Sequence, residues 1–414
     1  MIDILQPWSD YYGYSGASRL FEQRYGEKVN HVHSAPACVN LLGDHTDYNG
    51  GLALPISLSY RTFVAAHARR DRKIRLMSAT DPEVDTGVIH EFSLDEVGPR
   101  GSAGEVQGWE AYVVGVAWAM ERNGWELPGF DMAIDSCVPY RSGLSASAAL
   151  QCAAAVAIDH LSTGRQHHSL GGEGEYAVRR LLAKSCIQAE NEVAGVASTG
   201  LDQFAALFGE PGVALSLDFS TDSFAPLSFD LSVTGLALLV VNTRVYEDKY
   251  IGQGRAERVS ECAEAARILG VDSLSAVGSD SELRAGALPP RLLRRARHVV
   301  SENARVRQAI DLLNTGQLVG ERVEAFGELL TESHESLRFN YEVSTPQLDC
   351  VVYSALDFGA LGARMTGTGF GGSAIVLTRE SALDELVLVI SDAFRLKGFP
   401  QPQFLSGVPG VGAR

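Results

Sequence analysis

The amino-acid sequence predicts an α+β protein of two domains, and three observations lead there. The chain has 414 residues, more than one hydrophobic core usually serves. Short β-branched or apolar runs bounded by turn residues alternate with longer stretches whose apolar residues recur at helical spacing. Both kinds of segment occur in both halves of the chain. Residues 62–66 and 73–77 read as strands, followed by helical patterns over 109–122, 146–161 and 174–194. Apolar runs at 213–217 and 236–242 read as further strands. Helices follow over 255–269, 290–313 and 347–358, and a glycine turn at 367–372 leads into a strand at 373–378. The expected domains are 1–208 and 209–414, with 270–290 as the most linker-like stretch and no internal repeat.

Composition narrows the classes of function. With 45% hydrophobic and 21% charged residues, the chain can bury an ordinary core. Its net charge of −16 repels nucleic acid and anionic membrane, and the basic clusters at 69–73 and 291–297 are short enough to be solvated faces. No apolar run approaches the ~20 residues that cross a bilayer. The first residues lack the basic and apolar regions of a signal peptide. The six cysteines (Cys38, Cys137, Cys152, Cys186, Cys262 and Cys350) form no CxxC pair and no zinc spacing, so a reducing, cytoplasmic setting is expected.

Three segments carry candidate chemistry. In Ala35 to Gly51, Asp44, His45 and Asp47 lie within four residues and are flanked by glycines. Spaced carboxylates accept hydrogen bonds from hydroxyls and can read a polyol, although a plain polar turn has the same composition. In Val138 to Ala149, the run Ser142-Gly143-Leu144-Ser145-Ala146-Ser147 enters an alanine-rich helix. Such a run lets backbone N–H groups and a helix N-terminus face an anion; the alternative is a serine-capped helix that binds nothing. No GxxxxGK[ST] loop is present. In Arg364 to Ala374, the glycines formally match GxGxxG. A strand follows them where a dinucleotide fold needs a helix, so a glycine turn packed close to a ligand is the better reading.

In this order and spacing the segments resemble the three signature motifs of the GHMP kinases, and Leu42 to Gly51 resembles the galactokinase signature. Ala189-Glu190-Asn191-Glu192, Leu201-Asp202-Gln203-Phe204 and Tyr341-Glu342-Val343-Ser344 are similar to that family as well, so the resemblance covers about residues 20–380. It implies a two-domain GHMP kinase fold with the active site in the interdomain cleft and a left-handed βαβ crossover in the first domain. It implies transfer of the γ-phosphoryl group of ATP to the anomeric hydroxyl of a galactose-like sugar, with Mg²⁺ as cofactor. Gly143, Leu144, Ser145, Ala146 and Ser147 would wrap the ATP phosphates, and Gly369 with its turn would close over them. Ser147 and Glu190 would hold Mg²⁺, Asp202 would act as base or orienting group, and Asp44, His45, Asp47, Thr199 and Gly200 would line the sugar. The bland alternatives are a helix cap for Asp202, a solvated helix position for Glu190 and a buried hydroxyl for Ser147. The expected partner is a small sugar or polyol, bound by a monomer or homodimer.

The departures from the family pattern fall mostly on the acceptor side. Cys38 stands where galactokinases carry an arginine near the base, Asp44 replaces a glutamate, Thr199 replaces a glycine, and Ala146 replaces a serine. A sugar-contacting tyrosine expected near Gly252-Gln253-Gly254-Arg255 is missing, with Tyr246 or Tyr250 as substitutes. Arg141, Arg244 and Lys249 are the candidates for the lost charge. These changes leave open a kinase for another sugar, a sugar phosphate or a cyclitol, and also an inactive sensor of sugar and ATP.

Overall fold

The computed structural model describes residues 4–29, 31–79, 87–167, 173–245, 248–283 and 286–414, with side chains except at 173 and 248–252. The first half contains β1 (Ile4–Leu5), α1 (Asp10–Tyr25), β2 (Val32–Asn40), β3 (Leu52–Ala53), β4 (Pro55–Ala68), β5 (Lys73–Ser78) and β6 (His90–Ser93). It continues with α2 (Glu110–Arg122), β7 (Phe130–Ser136), α3 (Ala146–Thr163), α4 (Glu173–Gln188), α5 (Leu201–Phe208), β8 (Val213–Asp218) and β9 (Ser223–Ser228). The second half contains β10 (Leu236–Asn242), α6 (Asp248–Leu269), α7 (Pro290–Asn314), α8 (Glu321–Ser336) and α9 (Pro346–Phe358). It closes with β11 (Gly362–Thr366), β12 (Ser373–Arg379), α10 (Leu383–Lys397) and β13 (Gln403–Ser406). The expected α+β class is what the chain adopts.

Each half is built on a five-stranded sheet, in the orders β2-β4-β7-β5-β6 and β1-β13-β10-β12-β11. The strand period of two shows directly in β4: Val64 and Ala66 enter the core under α2 to α5, while Phe63 and Ala65 face α1. In β10, Leu239 and Val241 pack with Cys262 of α6 and Val351 of α9, whereas Leu238 and Val240 face the other way. That other way is the first half: Leu238, Val240, Ile375 and Leu377 share one apolar cluster with Val39, Ile56, Leu58 and Leu144. The two halves are joined by a common core rather than a flexible hinge.

Two features depart from the expected organisation. Residues 270–290 are not a linker, since Leu274, Leu283 and Leu288 are buried in the second-half core. The expected division after residue 208 falls before β8 and β9, which pair back onto β3 of the first half as a small third sheet. The ends of the chain are also exchanged. Strand β1 runs parallel to β13 in the second sheet, while Arg414 exchanges backbone hydrogen bonds of 2.7 and 2.8 Å with Ser34 of the first.

Candidate active site

The second motif forms the floor of the site. Strand β7 ends at Ser136, and the chain turns through Gly143 (φ 72°) and Ser145 (φ 59°) before α3 begins at Ala146. Leu144 is fully buried and anchors the loop, its carbonyl accepting from the Cys38 N–H at 3.3 Å. A Cβ on Gly143 would lie 3.5 Å from the Gly372 Cα, so this loop and the glycine turn of the second half meet backbone to backbone. The Ser373 hydroxyl donates to the Ser142 carbonyl at 2.6 Å and closes the junction. The unpaired N–H groups at the start of an 18-residue helix make this floor suited to an anion.

At the edge of this floor lies a buried carboxylate. Helix α4 passes at Ala189 into a π-helical turn, Ala189–Ala194, that carries Glu190, 7% exposed. The Ser147 hydroxyl donates to Glu190 Oε1 at 3.4 Å, and Gln203 Nε2 donates to Oε2. Burial, followed by the charge of Asp202, pushes the Glu190 carboxyl up to about 7. A carboxylate withdrawn from water beside a hydroxyl is a fitting pair of hard oxygens for Mg²⁺, which usually takes one or two protein ligands plus phosphates and water. Among the described residues no cluster of three or more His, Cys, Asp or Glu offers an all-protein metal site. Glu190 is therefore not a solvated helix residue.

Asp202 is the second residue of α5, whose cap is Gly200 (φ 99°); it is not itself the cap. The Cys38 thiol donates to Asp202 Oδ1 at 3.4 Å. Burial first, then the charge of Asp47, raises the Asp202 carboxyl above its ordinary range, while hydrogen bonds from Ser145 and Cys38 and the charge of Arg255 oppose the rise. Burial also pushes the Cys38 thiol well up, so it stays protonated and serves as a donor. Asp202 thus lies between the phosphate-type floor and the loop of the first motif.

That loop contributes Asp47, whose Oδ2 accepts from the Thr199 hydroxyl at 2.5 Å and faces Arg255 Nη2 at 3.7 Å. The Ser198–Gly200 turn that presents Thr199 is pinned by Asn191, which bonds both the N–H and the carbonyl of Ser198 at 2.9 Å. Asp44 and His45 lie in a deeper layer. Asp44 is 6% exposed, with Oδ1 accepting from Asn40 Nδ2 at 3.0 Å and Oδ2 paired to the fully buried Arg364 of the second half. Burial pushes the Asp44 carboxyl up to about 6 against the pull of Arg364. His45 bonds the Tyr48 hydroxyl at 2.9 Å, and that hydroxyl meets the Tyr341 hydroxyl at 2.7 Å. Burial holds His45 neutral. Asp44 is therefore engaged across the halves, whereas His45 bonds within its own half and reaches Tyr341 through Tyr48.

Of the glycine turn, Gly369 (φ 75°) packs so tightly that an added Cβ would lie 2.4 Å from the Val343 carbonyl. Of the expected substitutes for the missing arginine, Arg141 is exposed over Tyr140 and Arg244 is exposed beyond β10. Tyr246 and the side chains of Lys249 and Tyr250 lie outside the described residues. Arg255, Arg364, Asn191, Gln203 and Tyr341 lie in segments that the sequence marks, but none has a role assigned to it there. Several of their partners are remote in the chain; the Asp44–Arg364 pair spans 320 positions.

Comparison with known proteins gives a consistent set of likenesses. Residues 19–68 match the galactokinase galactose-binding signature, 111–210 the GHMP kinases N terminal domain and 301–396 the GHMP kinases C terminal domain. The chain is 38% identical over 397 residues to a galactokinase of Streptomyces coelicolor, covering 95% of this chain and 96% of that one. It is 38% identical over 371 residues to a galactokinase of Mycobacterium tuberculosis H37Rv, covering 89% and 95%. The crystal structure of Lactococcus lactis galactokinase complexed with galactose superposes with a TM-score of 0.83 at 32% identity, over 97% of this chain and 99% of that one. A mevalonate kinase structure, at 19% identity and a TM-score of 0.61, shares the fold.

Proposed function

The chain belongs to the galactokinase family of GHMP kinases, and from that membership we propose how its own residues carry out ATP-dependent phosphorylation of galactose. It is a galactokinase-like sugar kinase. The acceptor is the C1 hydroxyl of galactose or a closely similar monosaccharide, and the products are the sugar 1-phosphate and ADP.

One observation carries the assignment of roles: Asp202 stands between the Ser145 end of the anion-binding floor and the Asp47–Thr199 acceptor loop. Gly143 to Ser147 cradle the triphosphate with backbone N–H groups and the start of α3. Ser147 and Glu190 would hold Mg²⁺, which would supply positive charge against the phosphates. Asp47, with Thr199 behind it, accepts from hydroxyls of the sugar. Gly200 turns the chain so that Asp202 and Thr199 share one pocket. Asp202 accepts the proton of the C1 hydroxyl as its oxygen bonds to the γ-phosphorus and the bond to the β–γ bridging oxygen breaks. Asp44 and His45 support this arrangement from the layer beneath. The fully buried Cys38 donates to Asp202 and keeps it aimed.

The test is galactose-dependent ADP release by the purified protein, repeated with Asp202→Asn. The expected result is turnover with galactose, a kcat lower by ~10²- to 10⁴-fold in the variant, and unchanged binding of ATP. Retained turnover in Asp202→Asn would remove the aspartate from the mechanism.

A further inference from the structure

We propose that Arg255 is the positioning cation of the acceptor pocket, fixing Asp47 for the sugar and offsetting the carboxylates gathered around Asp202. The inference rests on the acceptor site assigned above. Arg255 lies in the second turn of α6, and three contacts hold its guanidinium. Two of these contacts come from one turn: it donates to the Ala197 carbonyl at 2.6 Å, and at the Asp47–Asn49 turn it lies 5.4 Å over the Tyr48 ring and within 3.7 Å of Asp47 Oδ2. Only 18% of the side chain is exposed, so much of its rotamer freedom is already lost before any sugar arrives. Ala197 and Tyr48 flank the very residues that would meet the acceptor, Thr199 and Asp47. Movement of Arg255 would therefore disturb both.

Charge balance points the same way. The charge of Asp47 acts on Asp202 and that of Asp202 on Glu190, and the neighbour of Asp202 at position 38 is an uncharged thiol. The other nearby guanidinium groups are committed elsewhere. Arg364 is paired with Asp44, and Arg258 donates to the Tyr341 and Glu342 carbonyls at 2.7 and 2.9 Å. The charge of Arg255 reaches Asp202 as well as Asp47, so it compensates for the negative groups that the site concentrates. The glycine one residue before it has its own reason: a Cβ on Gly254 would lie 2.3 Å from the Phe370 ring, so α6 packs directly onto the glycine turn.

The experiment compares parent, Arg255→Gln, Arg255→Lys and Arg255→Gln/Cys38→Arg by galactose-dependent ADP release, with thermal melting as a control for folding. Arg255→Gln should lower kcat by ~10- to 100-fold and raise the galactose KM, with the ATP KM unchanged. Arg255→Lys should recover about tenfold of that loss, since the charge returns without the fork. An arginine at position 38 would stand against the same Asp202 oxygen, so the double variant should exceed Arg255→Gln. A parent that turns over galactose beside an unimpaired Arg255→Gln overturns the role of Arg255 alone; a parent without turnover overturns the galactose reading and this inference together. If Arg255→Gln keeps its turnover of galactose but loses turnover of D-galacturonate, Arg255 serves an anionic substituent and the proposal is wrong.

Discussion

Replacing Arg364 by Gln tests whether Asp44 belongs to the join between the halves or to the sugar. Arg364 is fully buried, pairs with Asp44 and donates to the carbonyls of Leu41 at 2.7 Å and Asn40 at 3.3 Å. Removing its charge strands a carboxylate that is 6% exposed, and breaking one side of a buried pair costs ~3–5 kcal/mol. Unfolding entropy of ~2.1 cal/mol/K per residue over 414 residues gives ~0.9 kcal/mol/K, so the midpoint should fall by ~3–6 °C. Asp44→Asn/Arg364→Gln removes both charges while keeping amide donors and acceptors, and should recover ~2 kcal/mol relative to the sum of the single changes. Melts followed by circular dichroism, with galactose KM measured alongside, provide the cycle. Additive losses would refute the pairing argument. So would an Asp44→Asn variant with an unchanged midpoint and a large rise in galactose KM.

Asp47→Ala should raise the galactose KM by ~10- to 100-fold with the ATP KM unchanged, because Asp47 touches the acceptor loop and not the phosphate floor; a fall in nucleotide affinity would contradict this. A pH dependence follows from His298, fully buried in α7. Its Nε2 donates to the Asp44 carbonyl at 3.1 Å, so Nδ1 accepts from the Ser336 hydroxyl at 2.9 Å and the ring is neutral. Burial pushes it down from 6.5 to about 4. Between those values the unfolded chain binds the extra proton at this ring, so the His298 contribution to stability falls as pH drops from 6.5 to 4, by up to ~1.4 kcal/mol per pH unit, while the raised carboxyls of Glu190 and Asp44 contribute the opposite slope. The difference between the denaturant midpoints of parent and His298→Gln across that range isolates the histidine slope, and a constant difference would contradict it.

The parts of the site that were legible in sequence are those written in a few consecutive residues. The run Gly143 to Ser147 before an alanine-rich helix dictates its own turn and helix start, and Asp202 follows a glycine that α5 needs at its cap. What was not legible is pairwise and remote. Thr199 meets Asp47 across 152 positions, and no local pattern encodes that Arg255 rather than Arg141 or Arg244 turns inward. The same holds for the fold. Strands such as β10 announce themselves as apolar runs, whereas α1 buries little beyond Gly13, Ala17 and Phe21 and carries a weak stripe. Helix α8 is not among the elements that the sequence predicts: Val323, Phe326, Leu330 and Ser333 lie on its buried face at helical spacing, but the glutamates between them obscure the stripe. Residues 270–290 read as a linker because turn-forming residues dominate; their few leucines are nonetheless enough to seal the core.

The exchanged termini bear on how such a chain can assemble during synthesis. Ser34, Ser57 and Arg61 await partners from residues 410–414, and Leu58 bridges to Pro409. On the ribosome the leading half therefore has no means of completing its own sheet edge until residues 409–414 have been made. Its α1 and β2 must be held in an incomplete state while some 370 further residues emerge, roughly 20–75 s at ordinary elongation rates. Cutting the gene between β9 and β10 would give two fragments that each lack a piece of the other, and neither should fold until they are mixed.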